Sequence, residues 1–115
     1  MNIDNVIKEA VKQSRKTEYN FKLGAVIFNR HRIISAGYNR VYYNGSNCAE
    51  TLAIRKAPPK LLRGTTILVC RVNNSGSFGM AKPCNRCMKL IIKSGIKKVI
   101  YSTPDGWKTL NPDEL

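Results

Sequence analysis

Two short motifs in this 115-residue chain carry the side chains best suited to metal chemistry: Cys48-Ala49-Glu50 and Pro83-Cys84-Asn85-Arg86-Cys87. The i, i+3 spacing of Cys84 and Cys87 puts both sulfurs on one side of a helical turn, as a chelate requires, and Cys48 adds a third thiolate. Three thiolates are one ligand short of tetrahedral zinc. A fourth position left to water is what separates a catalytic zinc from a structural one. Zinc lowers the pKa of its bound water toward ~7, and hydrolysis still needs a group that moves protons. Glu50 suits that task, because it is the single carboxylate between Tyr19 and Pro104, a stretch with fifteen lysines and arginines. Two other chemistries fit parts of the pattern. The Cys-x-x-Cys pair with a basic residue inside it suits a redox dithiol, and a structural zinc would recruit Cys70 or His31 as a fourth ligand.

Both motifs fall at the starts of expected helices. Ser46 or Asn47 is a capping residue for a helix from about Cys48 to Lys56, stopped by Pro58-Pro59, and Pro83 opens another that runs to about Ser94 before Gly95. A first helix spans residues 3–16, with Ile3, Val6, Ile7, Ala10 and Val11 at helical spacing, acids early and bases late. Leu23–Asn29 and Ile33–Tyr38 read as a hairpin with His31 in its turn; Arg40–Asn47 reads as a loop. Thr65–Val72 is a buried strand in which Cys70 is a small apolar residue, Asn73–Lys82 a loop, and Ile96–Ser102 a fourth strand. Pro104-Asp105-Gly106 is a turn signal directly after it, so Trp107–Leu110 is expected to fold back as an antiparallel fifth strand. The order α-β-β-α-β-α-β gives a mixed sheet with helices on its faces, an α/β fold in a single domain over residues 1–115.

A Cys-Ala-Glu or His-Ala-Glu triplet followed by Pro-Cys-x-x-Cys, each opening a helix in this element order, resembles the zinc-dependent cytidine and deoxycytidylate deaminase superfamily. The likeness runs from about Tyr19 to Leu115. It implies the cytidine deaminase-like fold, a three-layer α-β-α arrangement with a mixed sheet of about five strands, and one Zn²⁺ per chain held by Cys48, Cys84 and Cys87. It also implies that Glu50 shuttles protons while zinc-activated water replaces the amine at C4 of a cytosine ring and ammonia leaves. The Ala49 N–H would hold the base carbonyl. Phe21, in a segment similar to the family's Phe-x-x-Gly-Ala strand, would lie against the base, and Asn39 would contact sugar or base.

The features that separate branches of the family point in different directions. Cysteine at 48 and an antiparallel last strand look like the small deaminases of free cytidine and the blasticidin deaminases; the wording AKPCNRCMKLIIKSGIKKVIY at 81–101 looks more like the deoxycytidylate deaminases. Free-nucleoside enzymes usually carry an arginine after the glutamate, offsetting the thiolate charge, where this chain has Thr51; Arg86 or the two helix N-termini are the alternatives. They also carry a glutamate where Val41 stands, and Arg40 beside it suits a phosphate.

The net charge of +13 favours nucleotide phosphates or polyanions as partners, or else serves solubility. Tyr38, Tyr42 and Tyr43 near Arg40 form a stacking platform for single-stranded nucleic acid, or else pocket walls or subunit contacts. The expected partner is thus a pyrimidine nucleoside or nucleotide, with single-stranded DNA or RNA as an alternative substrate and a non-enzymatic nucleic-acid-binding zinc protein as a further one. So small a deaminase, with a pocket completed by neighbouring loops, is expected to be a homo-oligomer, a dimer or tetramer. No stretch approaches the ~20 apolar residues of a membrane span, and residues 1–20 lack a secretory apolar core, so the expected location is cytoplasmic.

Overall fold

A computed structural model describes residues 2–42 and 45–112; for 41–42 and 45–47 it describes the backbone. The elements are α1 (Ile3–Ser14), β1 (Lys22–Phe28), β2 (Ile33–Tyr38), β3 (Arg40–Tyr42), β4 (Gly45–Asn47), α2 (Ala49–Lys56), β5 (Thr66–Val72), β6 (Phe78–Gly79), α3 (Asn85–Lys93), β7 (Lys98–Thr103) and β8 (Gly106–Leu110). A short 3₁₀ turn, Pro59–Leu61, follows the prolines that stop α2. The main sheet has the order β2-β1-β5-β7-β8, with β6 added to the end of β5. Among the described strands only β5 and β7 run parallel, joined through α3; the remaining pairs are antiparallel. The last strand returns as expected, Thr103 pairing with Gly106 across a two-residue turn.

Alternation along the strands builds two cores. Ala25 and Ile27 of β1, Ile67 and Val69 of β5 and Val99 and Tyr101 of β7 pack with Ala53, Ile54, Met88 and Ile91 of α2 and α3. The residues between them, Val26, Leu68 and Ile100, pack with Val6 and Ala10 of α1 on the opposite face. This is the expected α-β-α sandwich, and each fully buried Ile, Leu or Val in it contributes ~1.5–3 kcal/mol. Among the described residues no helix is long and apolar enough to cross a membrane.

Two glycines set the helices at close range. A Cβ on Gly24 would overlap the Ala10 carbonyl oxygen and stand 2.9 Å from the Ser14 nitrogen, so α1 lies directly on β1. A Cβ on Gly37 would come within 2.6 Å of the Ala53 nitrogen and 2.7 Å of the Ala49 oxygen, so α2, which follows the first cysteine, lies directly on β2.

The structure corrects four local expectations. Within 40–47, β3 and β4 pair as a two-stranded ribbon, Arg40 with Asn47 and Tyr42 with Gly45, as the β-prone Val41-Tyr42 allows. The cap of α2 is Cys48, in extended backbone at ψ 155, and Ser46 and Asn47 belong to β4. Pro83 precedes the cap of α3, since Cys84 is extended at ψ 168 and the helix starts only at Asn85. The 73–82 loop contains β6, which pairs Gly79 with Arg71.

Candidate active site

Because α2 and α3 both begin at the same end of the sheet, their cap residues meet there. Cys48 and Cys84 occupy equivalent positions: the carbonyl of each accepts the first intrahelical bond, from Leu52 at 3.2 Å and from Met88 at 2.8 Å, while neither sulfur accepts an N–H of its own helix. One turn into α3, Cys87 is buried behind them, and the three Sγ atoms lie within 4.8 Å of one another. Soft thiolates so placed at two positive helix ends fit a thiophilic cation such as zinc. Among the described residues no fourth Cys, His, Asp or Glu joins the group. Cys70 lies in the α1-side core, where burial pushes its thiol up to about 11, and His31 is an exposed turn residue whose N–H donates to Asn29 Oδ1 at 2.8 Å. Neither can complete a four-ligand structural site.

The sulfurs are electrostatically unequal. A hydrogen bond from Cys87 holds Cys48 down at about 5 against its partial burial, with the Arg86 guanidinium and Cys84 adding to the effect, so Cys48 is a thiolate at neutral pH. The same hydrogen bond, then burial, pushes Cys87 the other way. Arg86 Nη2 donates to Cys48 Sγ at 3.9 Å, so this arginine faces the thiolates as well as solvent. Thr51 Oγ1 is 3.9 Å from Cys87 Sγ, a contact that the sequence did not announce. Three thiolates around Zn²⁺ leave one net negative charge, and Arg86 with the two helix ends is placed to offset it.

Glu50, in the first turn of α2, is 4% exposed. Burial pushes its carboxyl up to about 7, opposed by its own backbone N–H and assisted by the Cys48 thiolate. A carboxyl with a pKa near neutrality can both accept and give up a proton at ambient pH. Beside it the Ala49 N–H, at the first helical position, has no acceptor within the helix.

These groups open into a cavity of about 390 Å³, within the range of small-molecule sites, lined by Tyr19, Phe21, Leu23, Asn39, Cys48, Ala49, Glu50, Lys82, Cys84 and Arg86. Six of the seven residues that the family resemblance assigned to metal, catalysis or substrate therefore share one cavity, with Cys87 buried behind it. Asn39 is committed to the main chain: Oδ1 accepts from Leu23 N at 3.1 Å and Nδ2 donates to Phe21 O at 2.7 Å. Its amide thus fixes the wall that carries Phe21. That ring is 57% exposed, with the Arg71 guanidinium 4.6 Å from its centre.

Tyr19, Leu23 and Lys82 were not singled out in the sequence; the aromatic pair Tyr19/Phe21 and a lysine next to Pro83-Cys84 were the available signals. Arg40 lines a smaller adjoining hollow, its guanidinium 5.6 Å from the Tyr38 ring. The cations on the main cavity are therefore Lys82 and Arg86. Of the expected tyrosine platform, Tyr38 is half-buried, while the Tyr42 side chain and all of Tyr43 lie outside the described residues, as does the Val41 side chain.

Comparison with known proteins agrees with this geometry. A family model for the cytidine and deoxycytidylate deaminase zinc-binding region matches residues 2–103. The chain is 34% identical over 100 residues to a diaminohydroxyphosphoribosylamino-pyrimidine deaminase of Buchnera aphidicola, covering 84% of this chain and 63% of that protein. It is 29% identical over 99 residues to a tRNA-specific adenosine deaminase of the same organism, covering 83% and 62%. The chain thus spans somewhat under two thirds of these relatives. A cytidine deaminase structure from Burkholderia pseudomallei superimposes with a TM-score of 0.77 at 21% identity, covering 99% of this chain and 95% of that one, a likeness of fold.

Proposed function

As the chain belongs to the cytidine and deoxycytidylate deaminase zinc-binding family, we propose that it hydrolyses the exocyclic amine of a cytosine-containing nucleotide or nucleoside, giving the uracil product and ammonia. The observation that carries this reading is one buried carboxyl, Glu50, on the wall of a nucleoside-sized cavity that also holds the three-cysteine cluster. Bound by Cys48, Cys84 and Cys87, zinc supplies Lewis-acid activation of water.

In this proposal the protein groups do the rest. Glu50 takes the proton of the attacking water, gives it to ring N3, and carries the next one to the departing amine. The Ala49 N–H donates to the base carbonyl. Phe21 bounds the ring on the side opposite α2, and Asn39, through its bonds to residues 21 and 23, keeps that wall in place while its remaining hydrogen-bonding capacity faces sugar or base. Thr51 against Cys87 and Arg86 against Cys48 contact the sulfur cluster, the guanidinium offsetting its charge. Lys82, the cation on the cavity without a sulfur contact, favours a phosphorylated substrate over the free nucleoside. The same proposal extends to a cytoplasmic homo-oligomer, in which exposed Phe21 and Met80 would be covered.

Substitution Glu50→Ala tests the assignment. The variant should bind zinc one-to-one and keep its fold while ammonia release falls by at least ~10²-fold; turnover at the wild-type rate would remove Glu50 from the mechanism.

A further inference from the structure

Far from the cavity the molecule carries a second feature that deamination does not use. Leu23, the second residue of β1, lines the cavity, and the strand ends five residues later, ~17 Å away, at Phe28. There two grooves of about 450 and 430 Å³ adjoin through Lys97, which lines both. One holds Arg63, Lys93 and Lys97; the other holds Arg30, His31, Lys97 and Lys98. Among the described residues no carboxylate lines either groove, and the side chains of Arg63, Lys93, Lys97 and Lys98 meet no acid. Like charges gathered this closely, Arg63, Lys93, Lys97 and Lys98 among them, repel one another, a cost that a polyanion laid across them relieves.

The grooves also have apolar and ring surfaces between the cations. Ile92 is 46% exposed in the first, beside Pro112, and half-buried Phe28 with exposed His31 lines the second. Phosphates on lysine and arginine with bases against rings and aliphatic side chains is the pattern by which single strands are held without sequence preference; a duplex hides the base faces that such surfaces meet. We propose that this pole of the sheet, around Lys97, binds the backbone of single-stranded nucleic acid. The strand would anchor the protein and leave the cavity at the other pole open to its own substrate.

The test is fluorescence anisotropy of a labelled fifteen-nucleotide oligothymidylate titrated with the zinc-loaded chain of residues 1–115. Four phosphate contacts predict a log–log salt slope of about −3, hence a roughly fifty-fold loss of affinity between 50 and 200 mM salt. The double substitution Lys97→Glu/Lys98→Glu should weaken binding at least ~10-fold and halve the slope, while zinc content and thermal unfolding stay as in wild type. Lys82→Glu, on the cavity, should leave oligonucleotide affinity unchanged. The inference is overturned by absence of binding at 50 mM salt, by full binding in the Lys97/Lys98 variant, or by loss of binding with Lys82→Glu. Equal affinity for a duplex, or for inorganic polyphosphate of matched charge, would also overturn it, since rings and apolar groups would then contribute nothing. None of these readouts depends on deamination, so this inference and the proposed reaction can fail separately.

Discussion

Ser102 is the residue whose removal tests the packing account most sharply. The parallel pairing of β5 with β7 ends at Val69 and Tyr101. Beyond that point the Ser102 hydroxyl takes over: its Oγ accepts the Arg71 N–H at 3.0 Å and donates to the Gly79 carbonyl at 2.8 Å, tying β5, β6 and β7 together. The side chain is 1% exposed, so water cannot replace it. Ser102→Ala removes almost no volume but strips a partner from a part-buried donor, Arg71 N–H, and a buried acceptor, the Gly79 carbonyl, each worth ~1–2 kcal/mol, ~2–4 kcal/mol together. For a domain of this length each kcal/mol moves the midpoint by ~4 °C, so the variant should melt ~8–16 °C lower, with a matching fall in the urea midpoint at unchanged slope. Ser75→Ala, an exposed control whose hydroxyl meets only Ser77, should stay within ~0.5 kcal/mol of wild type. A Ser102→Ala protein that melts within ~2 °C of wild type would refute the reasoning, because the two backbone groups would then be satisfied some other way.

Gly24→Ala should destabilise more than ordinary surface changes, by at least ~2 kcal/mol, since its Cβ would displace α1 from β1; an unchanged melting temperature would contradict the close packing. Cys70, buried and with its thiol pushed up to about 11, should resist alkylation in the native protein at pH 8 and react only on unfolding, as peptide mass mapping would show. Glu50 predicts a pH-dependent gain in protein stripped of metal by a chelator. With its carboxyl raised from about 4.5 to about 7 by burial, the folded state binds the proton more tightly than the unfolded one, so stability falls as pH rises between these values. Glu50→Gln should therefore unfold at higher urea than wild type at pH 8, by up to ~3 kcal/mol, the difference vanishing near pH 4; equal midpoints at both pH values would contradict the burial.

The cysteine cluster was legible in the sequence because it rests on spacing. Cys84 and Cys87 are one helical turn apart, and Cys48 sits at the matching place on another helix, so two local readings sufficed to bring the cluster together. The final hairpin was legible because Pro104-Asp105-Gly106, a turn signal, follows directly on a strand. What was missed depends on contacts between distant positions. That the Asn39 amide also bonds main-chain groups sixteen and eighteen residues earlier, and so fixes the Phe21 wall, is one such contact. The helix starts shifted by one or two residues because cysteine, an unremarkable capping residue by type, holds the extended cap conformation in both motifs. Lys82 and the Lys97 grooves could not be read locally either: lysines are spread along the chain, and only the fold decides which of them face a hollow.

The central claim is most directly tested by mass spectrometry of cytidine, deoxycytidine, deoxycytidylate and a cytosine-bearing oligonucleotide incubated with zinc-loaded protein, with chelated protein, and with chelated protein given zinc again. The account predicts that a small cytosine compound, the monophosphate foremost, loses its amine to hydroxyl only when zinc is present. Stoichiometric zinc on Cys48, Cys84 and Cys87 with no amine lost from any of the four would contradict it.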